Sequence, residues 1–396
     1  MLSKTKEFIK KEIVFCIALI LALFSMLFIK PDREYISYID FRTLAILFCL
    51  MVIISGFRSI GMFDWLAARL LQTVHGLAGI TTILVLLCFF FSMFITNDVA
   101  LITFVPLALI VFRNLKPSIQ KRWTLTCVVM QTIAANLGSM LTPVGNPQNL
   151  FLYGKASLNN TITGMWDFVR LMLPYSILSL VLLLAWILLI KTVWKNDRLD
   201  SHVEIAAQET FQEKIRTNAE AFIVYTILFF ICLLSVAHKI SCTIPFGLVL
   251  LYALLRERSV LTHVDYSLLA TFTALFIFIG NLGRISGFSR ILQAFMEGRE
   301  MLASVLASQV MSNVPAAVLL EKFTDNIPAL IVGTNLGGLG TIIASMASLI
   351  SFKYISQENE TVRGRYLLLF TAANVIFLAI LLLAASCLAP RFDFSC

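Results

Sequence analysis

Long apolar segments make up most of the chain, and two of them are interrupted by a short polar step. Residues 80–112 are almost wholly apolar except at their middle, where Thr96, Asn97 and Asp98 follow one another. Backbone groups that are freed at membrane depth are tolerated only where protein or a water-filled cavity satisfies them. The pattern therefore predicts a re-entrant helical hairpin whose two arms meet at this polar tip.

A second interruption of the same kind lies in the other half of the chain. Residues 310–317 read VMSNVPAA and stand between apolar arms, which places the tip at Ser312 and Asn313. Two polar interruptions in corresponding halves of an apolar chain point to the binding site of a transporter. We therefore expect the two tips to approach a common site.

The apolar segment after each hairpin is interrupted by glycine and asparagine. The first of these segments also contains proline. Residues 136–149 read NLGSMLTPVGNPQN, and residues 333–340 read GTNLGGLG. Proline lacks the amide that a helix needs and glycine weakens a helix, so neither run favours an unbroken helix. Both runs predict broken membrane helices whose free amides and carbonyls face a cavity.

The order of these elements occurs twice along the chain. A membrane span and an amphipathic segment precede each hairpin, and a broken span follows it. We expect the amphipathic segments, at residues 57–75 and 284–295, to lie in the membrane interface. Counting crossings from a cytoplasmic N-terminus gives nine spans and two hairpins, with the second copy inverted relative to the first. The predicted domains are an N-terminal transmembrane helix with an external loop (1–40), a first inverted repeat (41–190), a cytoplasmic connector (191–218) and a second inverted repeat (219–396).

Composition assigns the chain to the membrane. Of its 396 residues, 59% are hydrophobic and 14% are charged. Soluble domains are typically about 45–50% apolar. At about 20 residues for each span, this length allows roughly ten crossings and leaves no room for a sizeable soluble domain. The predicted fold class is an all-α polytopic membrane protein with two inverted-topology repeats, each with a re-entrant helical hairpin and a broken transmembrane helix.

The net charge of +8 is explained by orientation in a bilayer. Twenty of the 31 lysines and arginines fall in segments that the crossing count places in the cytoplasm, in agreement with the positive-inside rule. We therefore expect the lipid bilayer as a partner and no nucleic acid. We place the protein in the plasma (inner) membrane, with its N-terminus in the cytoplasm.

Patterns of catalysis and of cofactor binding do not occur in the sequence. The eight cysteines are scattered without CxxC spacing, and the four histidines are isolated. No Gly-x-x-x-x-Gly-Lys-Ser/Thr pattern for nucleotide phosphates is present. No His/Asp, Ser/Lys or metal constellation is visible on facing spans. We expect a protein that is not an enzyme and has no cofactor, with a sodium ion as a candidate coupling ion.

Tips and breaks together resemble the ion transporter superfamily, which joins divalent-anion/sodium symporters, citrate carriers and arsenite permeases. The resemblance rests on residues 94–106, 136–149, 311–315 and 333–345. In the symporters, the two tips and the two broken turns are expected to hold two sodium ions and the substrate carboxylates. The resemblance therefore implies a site of this kind, a small anionic substrate and a homodimer.

The tips differ from the Ser-Asn-Thr pattern of the symporters. Asp98 and Val314 stand where each tip would carry threonine, and residues 342–345 (IIAS) stand where a Pro-Pro-Asn turn is expected. Asn97 and Asp98, followed by Pro106, are closer to the pattern of arsenite permeases.

Candidate site residues follow from this resemblance and from ligand chemistry. Free amides at half-helix N-termini favour an anion, whereas neutral side-chain and carbonyl oxygens suit sodium. Capping is the alternative for the asparagines and close helix packing for the glycines. The substrate-binding candidates are Asn97, Thr142, Pro143, Asn146, Pro147, Asn149, Ser312, Asn313 and Thr334. The cation-binding candidates, which would hold sodium, are Thr96, Asn97, Asp98, Asn136, Gly138, Gly145, Ser312, Asn313, Asn335 and Gly337.

Asp98 is the most informative of these candidates. A carboxylate at membrane depth costs about 2.5–3.5 kcal/mol on insertion scales, so it is rarely placed there without a task. One hypothesis is that Asp98 is a cation ligand or a proton-exchanging group. The alternative is that it only caps the second helix of the hairpin.

The features favour secondary active transport of a small anion, namely a dicarboxylate, sulfate or an oxyanion, coupled to sodium or protons. Arsenite or antimonite efflux and cation/proton antiport are alternatives within the same superfamily. A passive anion channel is the alternative of another class, although a channel does not need two polar hairpins of opposite orientation.

Overall fold

The computed structural model describes residues 12–74, 76–113, 115–159, 161–195, 197, 218–358 and 360–388. Within these residues every regular element is a helix. The basic N-terminal residues 1–11, most of the predicted connector at 191–218 and the C-terminal residues 389–396 lie outside this part of the chain.

Each half of the described chain contains nine α-helices. The helices of the first half are α1 (Ile13–Ser25), α2 (Glu34–Tyr38), α3 (Phe41–Ser59), α4 (Met62–Leu71), α5 (Gly76–Ile95), α6 (Asn97–Phe112), α7 (Pro117–Ser139), α8 (Pro147–Leu158) and α9 (Met165–Val193). The helices of the second half are α10 (Ala219–Val236), α11 (Thr243–Arg256), α12 (Tyr266–Gly283), α13 (Ser286–Met296), α14 (Glu300–Met311), α15 (Asn313–Glu321), α16 (Ile327–Leu336), α17 (Met346–Glu358) and α18 (Arg363–Leu388). Two short 3-10 segments, Arg258–His263 and Glu360–Val362, precede α12 and α18.

Six helices of the described chain are at least 18 residues long and apolar enough to span a membrane. They are α3, α5, α9, α10, α12 and α18. Shorter apolar helices include α1, α6, α11, α14 and α16. The all-α membrane fold predicted from the sequence is confirmed, whereas the total of nine spans and the inverted orientation of the second copy stay predictions.

One long helix in each half begins with the same kind of cap. Asp40 precedes α3 and accepts hydrogen bonds from the amide of Thr43 at 3.0 Å and from its hydroxyl at 2.8 Å. Asp265 precedes α12 and accepts a hydrogen bond from the amide of Leu268 at 2.9 Å. An aspartate in this position satisfies an amide that has no partner within the helix. The local sequence thus determines where both helices start.

The amphipathic segment before the first hairpin differs from its prediction. Helix α3 continues to Ser59, and α4 begins at Met62 after Gly61, whose φ of 80° turns the chain. Phe63 and Ala67 of α4 are 1% and 0% exposed. The apolar face of α4 therefore packs against protein, whereas the sequence pattern predicted that this face lies in the membrane interface.

Both predicted hairpins are present. Thr96 alone separates α5 from α6, and Ser312 alone separates α14 from α15. Their φ angles of 71° and 75° lie in a region that residues with a side chain rarely adopt. The two arms of each hairpin pack together, so the chain reverses at one strained residue in each case.

Both predicted helix breaks are present as well. The first break separates α7 from α8 at residues 140–146, and the second separates α16 from α17 at residues 337–345. Helix α7 packs against α5 and α16 packs against α14, so each break lies beside its own hairpin. The helix after each break packs against the other hairpin, α8 on α15 and α17 on α6. This crossing brings both tips and both breaks into one core.

The first helix of each half packs against the other half. Helix α1 lies along α12, where the Nδ2 amide of Asn281 donates a hydrogen bond to the hydroxyl of Ser25 at 2.9 Å. Helix α10 lies along α3, where the guanidinium of Arg42 donates to the carbonyl of Ser235 at 2.8 Å. The two halves are thus interlocked.

Candidate functional site

A backbone hydrogen bond joins each hairpin tip to the break of its own half. The amide of Asn97 donates to the carbonyl of Gly145 at 3.3 Å. In the second half, the amide of Asn313 donates to the carbonyl of Ala344 at 3.0 Å. Asn97 and Asn313, the first residues of α6 and α15, are therefore fixed by the unwound chain of the neighbouring break.

A threonine in each break holds the hairpin arm that leads to the tip. The hydroxyl of Thr142 donates to the carbonyl of Met93, and the hydroxyl of Thr341 donates to the carbonyl of Gln309 at 3.1 Å. Met93 and Gln309 both lie three residues before their tip. The two halves thus share one local structure down to individual hydrogen bonds.

Glycine is required where each hairpin approaches its break. A Cβ atom at Gly138 would overlap the carbonyl oxygen of Phe89, and one at Gly145 would overlap the carbonyl oxygen of Ser139 at the end of α7. A Cβ atom at Gly337 would lie 2.8 Å from the side chain of Ser308. Close packing, the alternative considered from the sequence, therefore has a geometric basis at these glycines, and cation coordination by their backbone stays a prediction.

Two asparagines link the break of one half to that of the other. Oδ1 of Asn136 accepts hydrogen bonds from Nδ2 of Asn97 at 3.0 Å and from the hydroxyl of Ser345 at 2.9 Å. Nδ2 of Asn335 donates to Oδ1 of Asn149 at 2.6 Å. These five residues are buried, and we call them the central polar cluster. Networks of this kind fix the relative position of the elements that they join.

The central polar cluster already uses some of the oxygens predicted as cation ligands. Oδ1 of Asn136 accepts two hydrogen bonds, and Oδ1 of Asn97 accepts the amide of Asp98 at 2.9 Å. In contrast, Oδ1 of Asn335 and Oδ1 of Asn146 have no hydrogen-bond partner among the described residues. Because an amide oxygen has two lone pairs, Asn335 and Asn146 retain more capacity for a cation than Asn136.

Other substrate-binding candidates are engaged locally. The hydroxyl of Thr334 donates to the carbonyl of Leu330 at 2.7 Å within α16, and that of Ser312 donates to Oδ1 of Asn313 at 3.4 Å. Pro143 is buried in the first break. The Thr334 hydroxyl therefore donates its hydrogen bond within its own helix.

Asp98 is the second residue of α6 and lies outside the central polar cluster. Its Oδ1 atom is buried and has no hydrogen-bond partner in the described part of the chain. Thr96, which precedes α6, makes no side-chain cap bond. Within the described residues, capping by Asp98 therefore has no hydrogen bond to support it.

A cavity of 440 Å³ adjoins the first tip, and we call it the tip cavity. Thr96, Asp98 and Pro147 line it from the hairpin and the break. Helix α3, the 3-10 segment Arg258–His263 and the start of α12 form the other walls. The polar residues of these other walls are Ser55, Arg58, Ser59, Ser259, His263 and Asp265. The unpartnered carboxylate oxygen thus belongs to a residue that lines a space large enough for a small molecule.

The second tip lacks these features. Val314 takes the place of Asp98, and neither α14 nor α15 contributes to the described lining of the tip cavity. In the second break, Nε2 of Gln309 donates to the carbonyl of Gly337 at 3.0 Å and to that of Leu339 at 2.9 Å. The sequence did not single out this glutamine, which covers carbonyls that would otherwise be open. The two halves share a backbone arrangement but differ in charge.

Two further residues of the site were not among the candidates. Ser345 completes the central polar cluster, and Gln148 is fully buried with both polar atoms of its amide unpartnered among the described residues. Ser345 follows Asn335 by ten residues, as Asn146 follows Asn136. This equal spacing in the sequence could have identified Ser345 as the residue of the second half that corresponds to Asn146.

Comparison with known proteins identifies the family. A family model described as "Citrate transporter" matches residues 3–327, which include both hairpins and the first break. The chain belongs to the citrate transporter family. The resemblance to the ion transporter superfamily is thereby confirmed, and the protein is a membrane transporter.

Similar proteins cover most of the chain. An uncharacterized transporter of Methanocaldococcus jannaschii is 32% identical over 356 residues, which are 90% of this chain and 92% of that protein. The inner membrane protein YbiR of Escherichia coli is 28% identical over 327 residues, 81% of this chain and 82% of its own. A 46 kDa membrane protein of Mycobacterium leprae is 23% identical over 321 residues, 78% of this chain and 70% of its own. The similarity to the Methanocaldococcus protein, over 90% of this chain, therefore covers the hairpins and the breaks together.

Proposed function

We propose that this protein is a secondary active transporter of a small anion and that sodium or a proton is the coupling ion. The family and the relatives support a carrier function in general. The observation that supports coupling is the buried, unpartnered Oδ1 atom of Asp98 beside the tip cavity. We also propose the plasma (inner) membrane as its location, because the relative in Escherichia coli is named an inner membrane protein.

Asp98 suits a coupling role because an ionised carboxylate inside a protein is unstable without a partner. Burial of such a group is costly, so it takes up a proton or a cation instead. An ionised Asp98 would repel an anion in the tip cavity, and an occupied Asp98 would not. Binding of one positive charge at Asp98 would therefore favour binding of the cargo, and release of that charge would favour release of the cargo.

Arg58 is the residue of the tip cavity that would attract the anion. It is the one lysine or arginine among the described residues that line this cavity. A guanidinium is always charged and binds carboxylates, sulfonates and oxyanions through paired N–H groups. We propose that the cargo enters the tip cavity against Arg58 while the coupling ion is bound at Asp98.

Uptake into proteoliposomes tests this proposal. The reconstituted protein would be offered sulfate, succinate, citrate, arsenite or hexanesulfonate, each with and without sodium and pH gradients. We expect at least one of these to accumulate above its external concentration when one gradient is present, and only to equilibrate when both are absent. Uptake that never exceeds equilibrium would indicate a passive channel and would overturn the proposal.

Cation/proton antiport is the second candidate, because Asp98 and Asp265 both line the tip cavity. Two carboxylates with Arg58 leave an excess of negative charge, which favours cations. In vesicles without an anion cargo, an antiporter would dissipate an imposed pH gradient when sodium or potassium is added. That result would favour antiport over anion symport.

A further inference from the structure

The walls of the tip cavity are largely aliphatic. Helix α3 contributes Leu47, Leu50, Met51 and Ile54, and α6 contributes Val99 and Ile102. At a rise of about 1.5 Å per residue, the contribution of α3 extends over about 10 Å. The cavity therefore offers an apolar surface that is several methylene groups long.

Charged groups are few around this surface. Arg58 follows Ile54 by one helical turn, so its guanidinium adjoins the end of the aliphatic wall. The acidic residues among the described lining are Asp98 and Asp265. One positive charge is thus set against two negative ones.

This distribution disfavours a cargo with several negative charges. A di- or tricarboxylate needs donors along its length, whereas the α3 wall before Arg58 consists of hydrocarbon apart from Ser55. Each additional negative charge would also meet Asp98 and Asp265. A cargo with one negative charge and an apolar body avoids both penalties once Asp98 carries the coupling ion.

We infer that the tip cavity selects a monoanion with an apolar body, such as a carboxylate or sulfonate that bears an alkyl or aryl group. The anionic head pairs with Arg58, and the body lies against the aliphatic residues of α3 and α6. This inference rests on the proposed function and names the cargo class. It differs from the expectation that the family description raises, because citrate carries three carboxyl groups and no apolar body.

Calorimetric titration of the protein in lipid nanodiscs tests the inference. Methanesulfonate, butanesulfonate and hexanesulfonate are suitable probes because they stay ionised at neutral pH. Full coverage of each methylene group by the wall lowers Kd about fourfold. We expect Kd to fall along this series and to be higher for succinate and citrate than for hexanesulfonate. A constant Kd along the series, or tightest binding of citrate, would overturn the inference.

Two substitutions with matched controls locate the binding site. Arg58→Gln should raise the Kd of all three sulfonates by a similar factor. Met51→Gln should instead make Kd depend less on the length of the alkyl chain. Arg69→Gln and Met62→Gln serve as controls, because these residues lie on α4 and are not among the described lining of the cavity. Equal effects of a substitution and its control would show that the probes bind elsewhere, for example in the lipid.

Failure of the inference is distinguishable from failure of the proposed function. If citrate or succinate accumulates under a gradient and sulfonate affinity does not rise with length, the proposed function stands and the inference fails. If the sulfonates bind in the expected order but no anion ever accumulates, the proposed function fails. Tighter binding of hexyltrimethylammonium than of hexanesulfonate would make the cavity a cation site and would also overturn the inference.

Discussion

Nδ2 of Asn335 donates a hydrogen bond to Oδ1 of Asn149 over 2.6 Å, although 186 residues separate them in the sequence. Both side chains are at most 1% exposed. Asn335 precedes the second break and Asn149 follows the first, so this bond holds the two broken helices in one relative position. The pair is therefore a test of how strongly the two halves are coupled.

Removal of either asparagine should destabilise the protein. Asn335→Leu or Asn149→Leu leaves the partner amide buried without that hydrogen bond, which costs about 1–3 kcal/mol. The double variant should lose less than the sum of the single losses, by about 0.5–3 kcal/mol. Thermal unfolding in detergent measures the stability of the two single variants and of the double variant.

Asn374→Leu is the matched control for this cycle. Asn374 is also buried, and its Nδ2 donates to the carbonyl of Phe370 at 2.8 Å within its own helix. Its effect should add to that of Asn149→Leu. If the Asn149 and Asn335 substitutions were equally additive, the bond between the halves would contribute nothing.

Asp98→Asn should uncouple transport from its driving gradient. A carboxamide exchanges no proton and has no negative charge to hold a cation, so gradient-driven uptake should fall about tenfold or more, while exchange of internal for external cargo persists. The variant is measured in proteoliposomes, with exposed Asp325→Asn as the control. Gradient-driven uptake at the wild-type rate would refute the coupling role.

Gly138→Ala should destabilise the first half. The added Cβ atom would meet the carbonyl oxygen of Phe89, and overpacking of this kind typically costs about 1–3 kcal/mol. Gly364→Ala is the control, because nothing lies within 4 Å of a Cβ atom there. Alanine at that position of α18 should be neutral or stabilise by up to about 1 kcal/mol. Similar melting temperatures for the two variants would contradict the proposed close approach at Gly138.

Gln309 should stabilise the second break through both polar atoms of its amide. Gln309→Met, which copies Met93 of the first half, removes the donor to Gly337 and Leu339 and the acceptor for the amide of Thr341 at 2.8 Å. Gln309→Glu removes only the donor. We therefore expect both variants to melt at a lower temperature. Each of the buried carbonyls of Gly337 and Leu339 that is left unpaired should lower the free energy of unfolding by about 1–3 kcal/mol. An unchanged melting temperature would mean that the break does not need this cover.

The ion pair between Asp32 and Arg284, at 2.6 Å, should give a pH-dependent contribution to stability. The hydrogen bond from Arg284 holds the pKa of Asp32 below its usual value. Because the folded-state pKa is lowered, the contribution is present above the unfolded pKa of about 3.9 and is lost as the pH falls through the folded value. Asp32→Asn should lower the melting temperature slightly at pH 7 and by less at pH 3. An equal decrease at both pH values would exclude this linkage.

The tips and the breaks could be predicted because their causes are local. Thr96 and Ser312 each stand beside asparagine within an apolar run, and proline or glycine marks the breaks. A few consecutive residues therefore contain enough information to end a helix. The same local logic predicted a site at the first tip, where Asp98 does line a cavity.

The partners across the two halves could not be predicted in this way. Ser345 donates to Asn136 across 209 residues, and nothing in either local sequence selects that partner. Likewise, the apolar face of α4 could meet lipid or protein, and the burial of Phe63 is decided only when the helices pack. Choice of partner is a property of the assembled fold.

The interlocking of α1 with α12 sets an order of events during synthesis. Ser25 leaves the ribosome 256 residues before Asn281, the residue that it will meet. At roughly 5–20 residues per second, α1 waits about 13–50 s for that partner. During this interval the hydroxyl of Ser25 lacks the hydrogen bond that Asn281 of α12 will donate to it. A nascent chain that stops before α12 thus leaves α1 without the helix against which it packs in the complete fold.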